Sequence, residues 1–350
     1  MINNLPFVSI IIPCRNEEKF IEKCLKTLTQ DQTYPKEKLE FLVVDGDSED
    51  NTREIIKGYH KEHPEFNIKI FKNSNKFTPF GLNIGIKEAK GGIIIKADAH
   101  TQYPPKFVEI LVNYLNRNHE GKRVDVVGGQ IITPSVKDIK TIEGDENKQM
   151  KMRAIALCLS HPFGSASRFR IGAKKPCFVD TVFGVGYRKK ILEKIKRNDT
   201  IYFNEKLRRS QDLELNLRIQ RVGGNILLVP EIQFKYYPKS NFKEFFLHNF
   251  EDGIWATYPL KFGTFFKLRH YLPFLFTSSL IISFILGFLF SLFWGVFFII
   301  TIFYLLVNIY FSYKISRKEN NFKYMLRAFI CRHFGYGLGS IWGLVKIFGK

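Results

Sequence analysis

Between Tyr271 and Tyr313 the chain carries no charged side chain, and the run is dense in Phe, Leu and Ile: "YLPFLFTSSLIISFILGFLFSLFWGVFFIITIFYLLVNIYFSY". A membrane span needs roughly 20 such residues, so this stretch is about twice the length of one. Soluble cores rarely run so long without a charge. The economical expectation is two antiparallel transmembrane helices, near 272–290 and 294–313, with a tight turn around Trp294 and Gly295. Basic groups flank both ends, "KLRH" before the run and "KISRK" after it. The positive-inside tendency then puts both ends, and the rest of the chain, on the cytoplasmic side of a cytoplasmic membrane. Further on, Gly335, Gly339 and Gly343 recur every four residues, a small-residue stripe that lets helices approach closely. That tail, about 326–348, reads either as a third span or as an interfacial helix.

Ahead of this region strand and helix patterns alternate. "FVSIII" (7–12), "EFLVV" (40–44), "NIKIF" (67–71), "GIIIKA" (92–97) and "DVVGG" (125–129) read as short β-branched strands. Helical patterns run from Glu17 to Thr29, Asn51 to His60, Pro79 to Lys90 and Pro105 to Arg117, with Asn16 and Asp50 as expected N-caps of the first two. This order predicts an α/β fold with a mostly parallel central sheet flanked by helices.

The net charge is +20, from 53 Lys+Arg against 33 Asp+Glu, which calls for an anionic partner: nucleic acid, a membrane surface or a phosphorylated substrate. Positive charge close to apolar helices favours the membrane, and no interleaving of aromatic and basic residues points to nucleic acid. The five cysteines, an odd number without metal-type spacing, read as reduced thiols. "LPFVSIIIPC" is too short for a secretory signal and lacks a basic lead.

In a parallel sheet, ligands bind beyond the carboxyl ends of the strands. The first strand there ends in "PCRNEE" (13–18), the second in "DGDSED" (45–50) and the fourth in "DAH" (98–100). Three polar clusters on one edge suggest a site. It is not a dinucleotide site: the chain has no glycine between Met1 and Val44, and "GVG" at 184–186 is a fragment without the third glycine. If the ligand carries a diphosphate, a divalent cation held by Asp98 and His100 could neutralise it, with phosphate oxygens completing its shell. A carboxylate suits Mg2+ or Mn2+ and the imidazole tilts towards Mn2+. Alternatively "DAH" is a capped turn beside a surface His. Farther on, "NEKLRRSQDLELNLRIQRVGG" (204–224) has helical spacing ended by Gly223 and Gly224. Asp212 and Glu214 in its first turn either match the helix dipole or supply a base that takes a proton from an acceptor hydroxyl.

Taken together these motifs resemble the family 2 glycosyltransferases, which have the Rossmann-like GT-A fold. "VSIIIPCRNEE" is similar to that family's opening strand and nucleotide-contacting turn, and "LEFLVVDGDSEDNT" to its V-V-D-D-G-S-x-D-x-T element. "FGLNIGIKEAKGGIII" looks like the run before the metal motif. "VFGVGYRKKILEKI" and "FNEKLRRSQDLELNLRIQRVGG" look like the acceptor-side loop and the base-bearing helix. Within the family the resemblance is to membrane-bound succinoglycan-type exopolysaccharide transferases, with their D-A-H, Q-D-x-E-L-N-L-R and apolar C-terminus. It implies that Pro13, Arg15, Asn16, Glu17, Asp45 and Asn83 bind the nucleotide-sugar. Asp98 would touch ribose and metal, His100 would complete the metal ligands and Asp212 would be the catalytic base. His100 stands where the usual D-x-D has its second acid, and Gly46 where the second acid of V-V-D-D stands.

The resemblance divides the chain into a catalytic domain at 1–250, an amphipathic connector at the membrane surface at 251–270 and a membrane region at 271–350. It implies an inverting transfer from a nucleotide-diphosphate sugar, a UDP-sugar by expectation, to a lipid-linked saccharide, with Mn2+ or Mg2+. "NFEDGIWATYP" (249–259) stands where processive synthases carry Q-x-x-R-W, so addition of a single sugar is expected. A polyprenyl-phosphate sugar synthase is the neighbouring possibility. A non-catalytic nucleotide-sugar sensor is weakened by the presence of both Asp98 and Asp212. The basic stretch "GSASRFRIGAKKP" (164–176) either clamps the diphosphate through Arg168, Arg170 or Lys174, or faces lipid headgroups.

Overall fold

The computed structural model describes residues 5–141, 144–165, 167–317, 319 and 321–349. Ala166 of the basic loop and Lys318 of the basic flank lie outside the described residues. The chain begins β1 (Val8–Cys14), α1 (Ile21–Thr29), β2 (Leu39–Asp45), α2 (Thr52–Glu62), β3 (Ile68–Lys72), α3 (Thr78–Glu88), β4 (Ile93–Lys96) and α4 (Phe107–Leu115). It continues β5 (Asn118–His119), β6 (Lys122–Arg123), β7 (Val126–Ile132), α5 (Val136–Lys140), α6 (Glu146–Leu159), α7 (Arg168–Ile171), β8 (Cys177–Val179), β9 (Phe183–Arg188) and α8 (Lys189–Ile195). It closes with α9 (Gln211–Arg221), β10 (Ile226–Lys235), α10 (Phe242–Thr257), α11 (Leu272–Gly287), α12 (Leu292–Ser316) and α13 (Phe322–Phe348).

Two compact units result, Met1–Ile131 with Gly172–Phe234, and Ile132–Ile171 with Lys235–Lys350. Residues 132–171 and those after 234 group with the C-terminal helices.

The first unit is built on an eight-stranded sheet in the order β3-β2-β1-β4-β9-β7-β10-β8. β3, β2, β1 and β4 run parallel, as the alternation of strands and helices requires. The apolar runs of β1, β2 and β4 are buried on both faces, Val8, Ile10, Ile11 and Ile12 completely so, as befits strands covered on both sides. On α1, Ile21, Cys24, Leu25 and Leu28 form the buried stripe. All five expected strands form. β9 was not expected as a strand, and it enters antiparallel between β4 and β7. Its glycines hide the period-2 signal: Gly184 has φ +57°, and any side chain there would strike the Phe234 ring. The expected N-caps shift. Phe20 and Asn51 occupy those positions without side-chain caps. Asp50 nevertheless accepts from the Thr52 amide (3.0 Å), and Asn16 belongs to the preceding loop.

In the second unit the long apolar run folds as a helical hairpin, but its turn lies at 288–291, before Trp294. Gly287 is where α11 can end, because a Cβ there would press on the Trp294 indole, which lies in the first turn of α12. α12 has 25 residues, about 37 Å at 1.5 Å per residue, and is long and apolar enough to cross a membrane. α11 has 16 residues, about 24 Å, short of the roughly 30 Å hydrocarbon layer. α13 is one continuous helix of 27 residues. Its glycine stripe lies against α10: Gly335, Gly339 and Gly343 face the backbones of Phe246, Phe250 and Ile254, and Gly253 of α10 faces Tyr336 in return. The stretch "NFEDGIWATYP" is therefore largely helical, and its glycine serves close packing.

Replacing Gly339 by Leu should push α13 off the Phe250 carbonyl and cost about 1–3 kcal/mol. The readout is a melting temperature in detergent several degrees below wild type. Gly295→Ala, where a Cβ meets nothing within 4 Å, should leave it unchanged.

Candidate active site

Because β1, β2 and β4 are parallel, their carboxyl ends open on one edge, where Cys14 pairs in register with Asp45 and β4 ends at Lys96. A cavity of about 150 Å³ lies there. Pro13 near the end of β1, Arg15 and Glu17 after it, Asp98 and His100 after β4, and Asn73, Lys76 and Phe77 after β3 line it. Five non-glycine residues among those described have positive φ, and Asn16, Asp47, Lys76 and Ser210 sit in loops that follow β1, β2 and β3 or lead into α9. Such backbone strain concentrates at functional sites, where the surroundings must hold it in place.

Not every candidate residue reaches the cavity. Asp45 is 1% exposed. Its Oδ2 accepts from Arg53 Nε (2.9 Å) and Nη2 (2.5 Å), and its Oδ1 from the Ser48 amide (3.2 Å) and hydroxyl (2.6 Å). Asn16 links two loops: its amide donates to Ser48 Oγ (3.0 Å) and its Oδ1 accepts from the Glu49 amide (2.9 Å). Asn83 is buried on α3, its Oδ1 accepting from the amides of Tyr202 and Phe203 and its Nδ2 donating to Glu205 (2.9 Å). These three organise the loops that carry other candidates.

At the exit of β4, His100 Nδ1 and Glu17 Oε1 are hydrogen-bonded at 3.0 Å. That bond, against partial burial, raises the imidazole above its ordinary range. Among the described residues no group of three or more His, Cys, Asp or Glu side chains is arranged for a metal ion. A cation here would use Asp98, His100 and oxygens of its substrate, which suits a metal that arrives with a diphosphate.

The two acids that open α9 separate by partner. Glu214 is buried and accepts from Arg218 Nε (2.9 Å) and Arg197 Nη2 (2.7 Å), a structural anchor for the helix. Asp212 turns to the strand edge. Its Oδ2 accepts from Lys96 Nζ at 3.0 Å, while its buried Oδ1 receives no hydrogen bond. The same ammonium lies 3.4 Å from Asp98 Oδ1. Burial alone would drive the proton off Lys96; the charges of Asp212 and Asp98 reverse this and hold it well above the ordinary lysine range. Ser210, at φ +60°, aims the start of α9 at this point.

Lys96 is the residue that motif reading passed over. Its signal was present: a cation closing a run of buried isoleucines must find an anion. Lys76 and Phe77 were also missed, as was Arg208, whose guanidinium lies 4.4 Å from the Phe77 ring centre. Lys174 of the basic loop is exposed. Arg170 lies over the Tyr236 ring (5.2 Å).

Comparison with known proteins supplies the remaining information. A solved mannosyltransferase from Pyrobaculum calidifontis, in complex with GDP-Man and Mn2+, superposes with a TM-score of 0.58 at 15% identity, covering 97% of this chain and 88% of that one. That likeness carries the fold. The dolichyl N-acetyl-alpha-D-glucosaminyl phosphate 3-beta-D-2,3-diacetamido-2,3-dideoxy-beta-D-glucuronosyltransferase of Methanococcus voltae is 31% identical over 283 residues, 81% of this chain and 83% of the relative. The undecaprenyl-phosphate 4-deoxy-4-formamido-L-arabinose transferase of Shewanella sediminis is 33% identical over 110 residues, 31% of this chain and 33% of the relative. Residues 9–196 match the sequence model of glycosyl transferase family 2, and with the Methanococcus relative, matched over four fifths of this chain, they show that this chain belongs to that family of enzymes.

Proposed function

We propose that the protein is an inverting, nonprocessive glycosyltransferase. It moves one sugar from a nucleotide-diphosphate sugar to a lipid-linked saccharide in the assembly of a cell-surface glycan. The observation that carries this reading is Lys96, whose ammonium bridges the donor-side acid Asp98 and the acceptor-side acid Asp212. A single buried cation thus ties the two halves of a displacement reaction together.

Pro13, Arg15 and Glu17 border the space for the nucleotide, Lys76 adds positive charge at its wall, and Arg208 lies over the ring of Phe77, another lining residue. Asp98 and His100 would hold a divalent cation, Mn2+ or Mg2+, which neutralises the departing diphosphate when bound. Asp212 takes the proton of the acceptor hydroxyl. The acceptor oxygen forms its bond to the anomeric carbon as the bond from that carbon to the diphosphate oxygen breaks, which inverts the configuration. Lys96 holds Asp212 in place for this step. A UDP-sugar is the donor we favour, and the GDP-Man complex of the Pyrobaculum protein keeps a GDP-sugar as the comparison. The dolichyl-linked substrate in the name of the Methanococcus relative supports a lipid-linked acceptor. The apolar hairpin would anchor the protein in the cytoplasmic membrane as a multi-pass chain, with the catalytic unit on the cytoplasmic side. A protease added to sealed vesicles should cut the catalytic unit only when the cytoplasmic face is outside.

The undecaprenyl-phosphate transferase among the relatives favours one second reading, a bare lipid phosphate as acceptor. Such an acceptor is already ionised and needs no base. Asp212→Asn should lower turnover by about 10²–10⁴-fold, measured as release of nucleoside diphosphate with a panel of nucleotide sugars and lipid acceptors. Full activity of that variant would transfer the reading to the lipid phosphate. Lys96→Met, which frees the base to drift, should lose about 10²-fold in kcat/KM; wild-type kinetics would remove the bridge from the mechanism. Chelation by EDTA should stop turnover and Mn2+ restore it, and activity indifferent to both would take the metal out of the scheme.

A further inference from the structure

A cavity of about 370 Å³ lies in the second unit, among the C-terminal helices, within the range of small-molecule sites. Its lining divides by chemistry. Phe276 of α11 and Ile300, Phe303 and Val307 of α12 are apolar, and the last three recur at one-face spacing on their helix. Phe303 is also 68% exposed, so the cavity opens towards whatever surrounds α12. Arg269 and Arg332 line the same space, and among the described residues no acidic side chain lines it. The Arg332 guanidinium is held in position: Nε donates to the Gly164 carbonyl (2.9 Å), Nη1 to Asn249 Oδ1, and its plane lies over the Tyr336 ring at 5.3 Å. Its nearest carboxylate, Asp252 at 3.9 Å, does not border the cavity.

One braced guanidinium and a second arginine beside an apolar hollow at a helix of spanning length match one class of molecule, an anion on a long apolar chain. Planar guanidinium suits phosphate oxygens, which it meets with paired hydrogen bonds. We propose that this cavity binds a lipid phosphate, with the phosphate at Arg269 and Arg332 and the first carbons of the chain along Phe276, Ile300 and Val307. The inference rests on the lipid-linked acceptor of the preceding reading and gives that acceptor a seat within the helical unit.

The test uses the full-length protein in detergent and a polyprenyl monophosphate carrying a photoreactive group in its first isoprene units, beside the matching polyprenol without phosphate. Labelling should map to α11 and α12 and depend on the phosphate. Arg269→Gln, which removes charge, and Val307→Trp, which fills the hollow, should each reduce it about tenfold or more, the loss of a charge-assisted contact. Binding of the nucleotide sugar, followed by calorimetry, should be unchanged in both. Labelling at other segments, undiminished labelling in both variants, or equal labelling by the polyprenol would overturn the cavity assignment while leaving a lipid acceptor intact. Transfer by the wild type to a soluble saccharide, with no capture or use of any lipid phosphate, would overturn the lipid-acceptor reading as well.

Discussion

One buried ammonium organises the catalytic unit. Taking a lysine out of water is unfavourable by several kcal/mol unless opposite charges replace the lost hydration. Lys96 finds two, 3.0 and 3.4 Å away, and they come from distant parts of the chain. Asp98 leaves the parallel strand of its own motif, whereas Asp212 opens a helix more than a hundred residues later. Satisfying Lys96 therefore requires the strand edge and the start of α9 to meet. The ion pair couples correct folding to the juxtaposition of acids that the proposed transfer would use.

Around that point a division of labour runs through the polar motifs. Some of their members face the cavity; others hold the loops that present them. Arg53 grips Asp45, Asn16 bridges to Ser48 and Glu49, and Glu214 anchors α9 through Arg218 four residues on, where helix neighbours meet. A motif such as "QDLELNLR" is thus two devices in one string: an acid aimed at the site, and an acid–base pair that keeps the helix from turning it away.

This explains what could be read from the residues alone. Strands covered on both faces announce themselves as apolar runs, so β1, β2 and β4 were visible, and with them the edge where the site lies. β9 was hidden because its glycines serve close approach to Phe234 and Leu111 rather than strand propensity. The end of the apolar hairpin was misplaced because Trp294 and Gly295 look like a turn, while the break is set by the contact of Gly287 with that indole. The roles of Asp45 and Asn83 depend on partners near in space, Arg53 and the 202–205 segment, and spacing gives no measure of which polar atoms are already engaged. Lys96 was legible in principle, since a cation at the end of an isoleucine run demands an explanation.

The seam between α10 and α13 has a consequence for how the helical unit comes into being. These helices touch along glycines that admit no slack, yet the whole apolar hairpin separates them in the chain. Their docking closes a loop of residues 258–321, and the entropy of that closure falls as the hairpin inside it forms first. During synthesis α10 emerges before α13 and waits with its glycine-facing surface open until α13 is made. Docking of α10 accordingly waits for α13, which acts as its clasp, and shortening α13 by a few turns would leave the hairpin formed but unlatched.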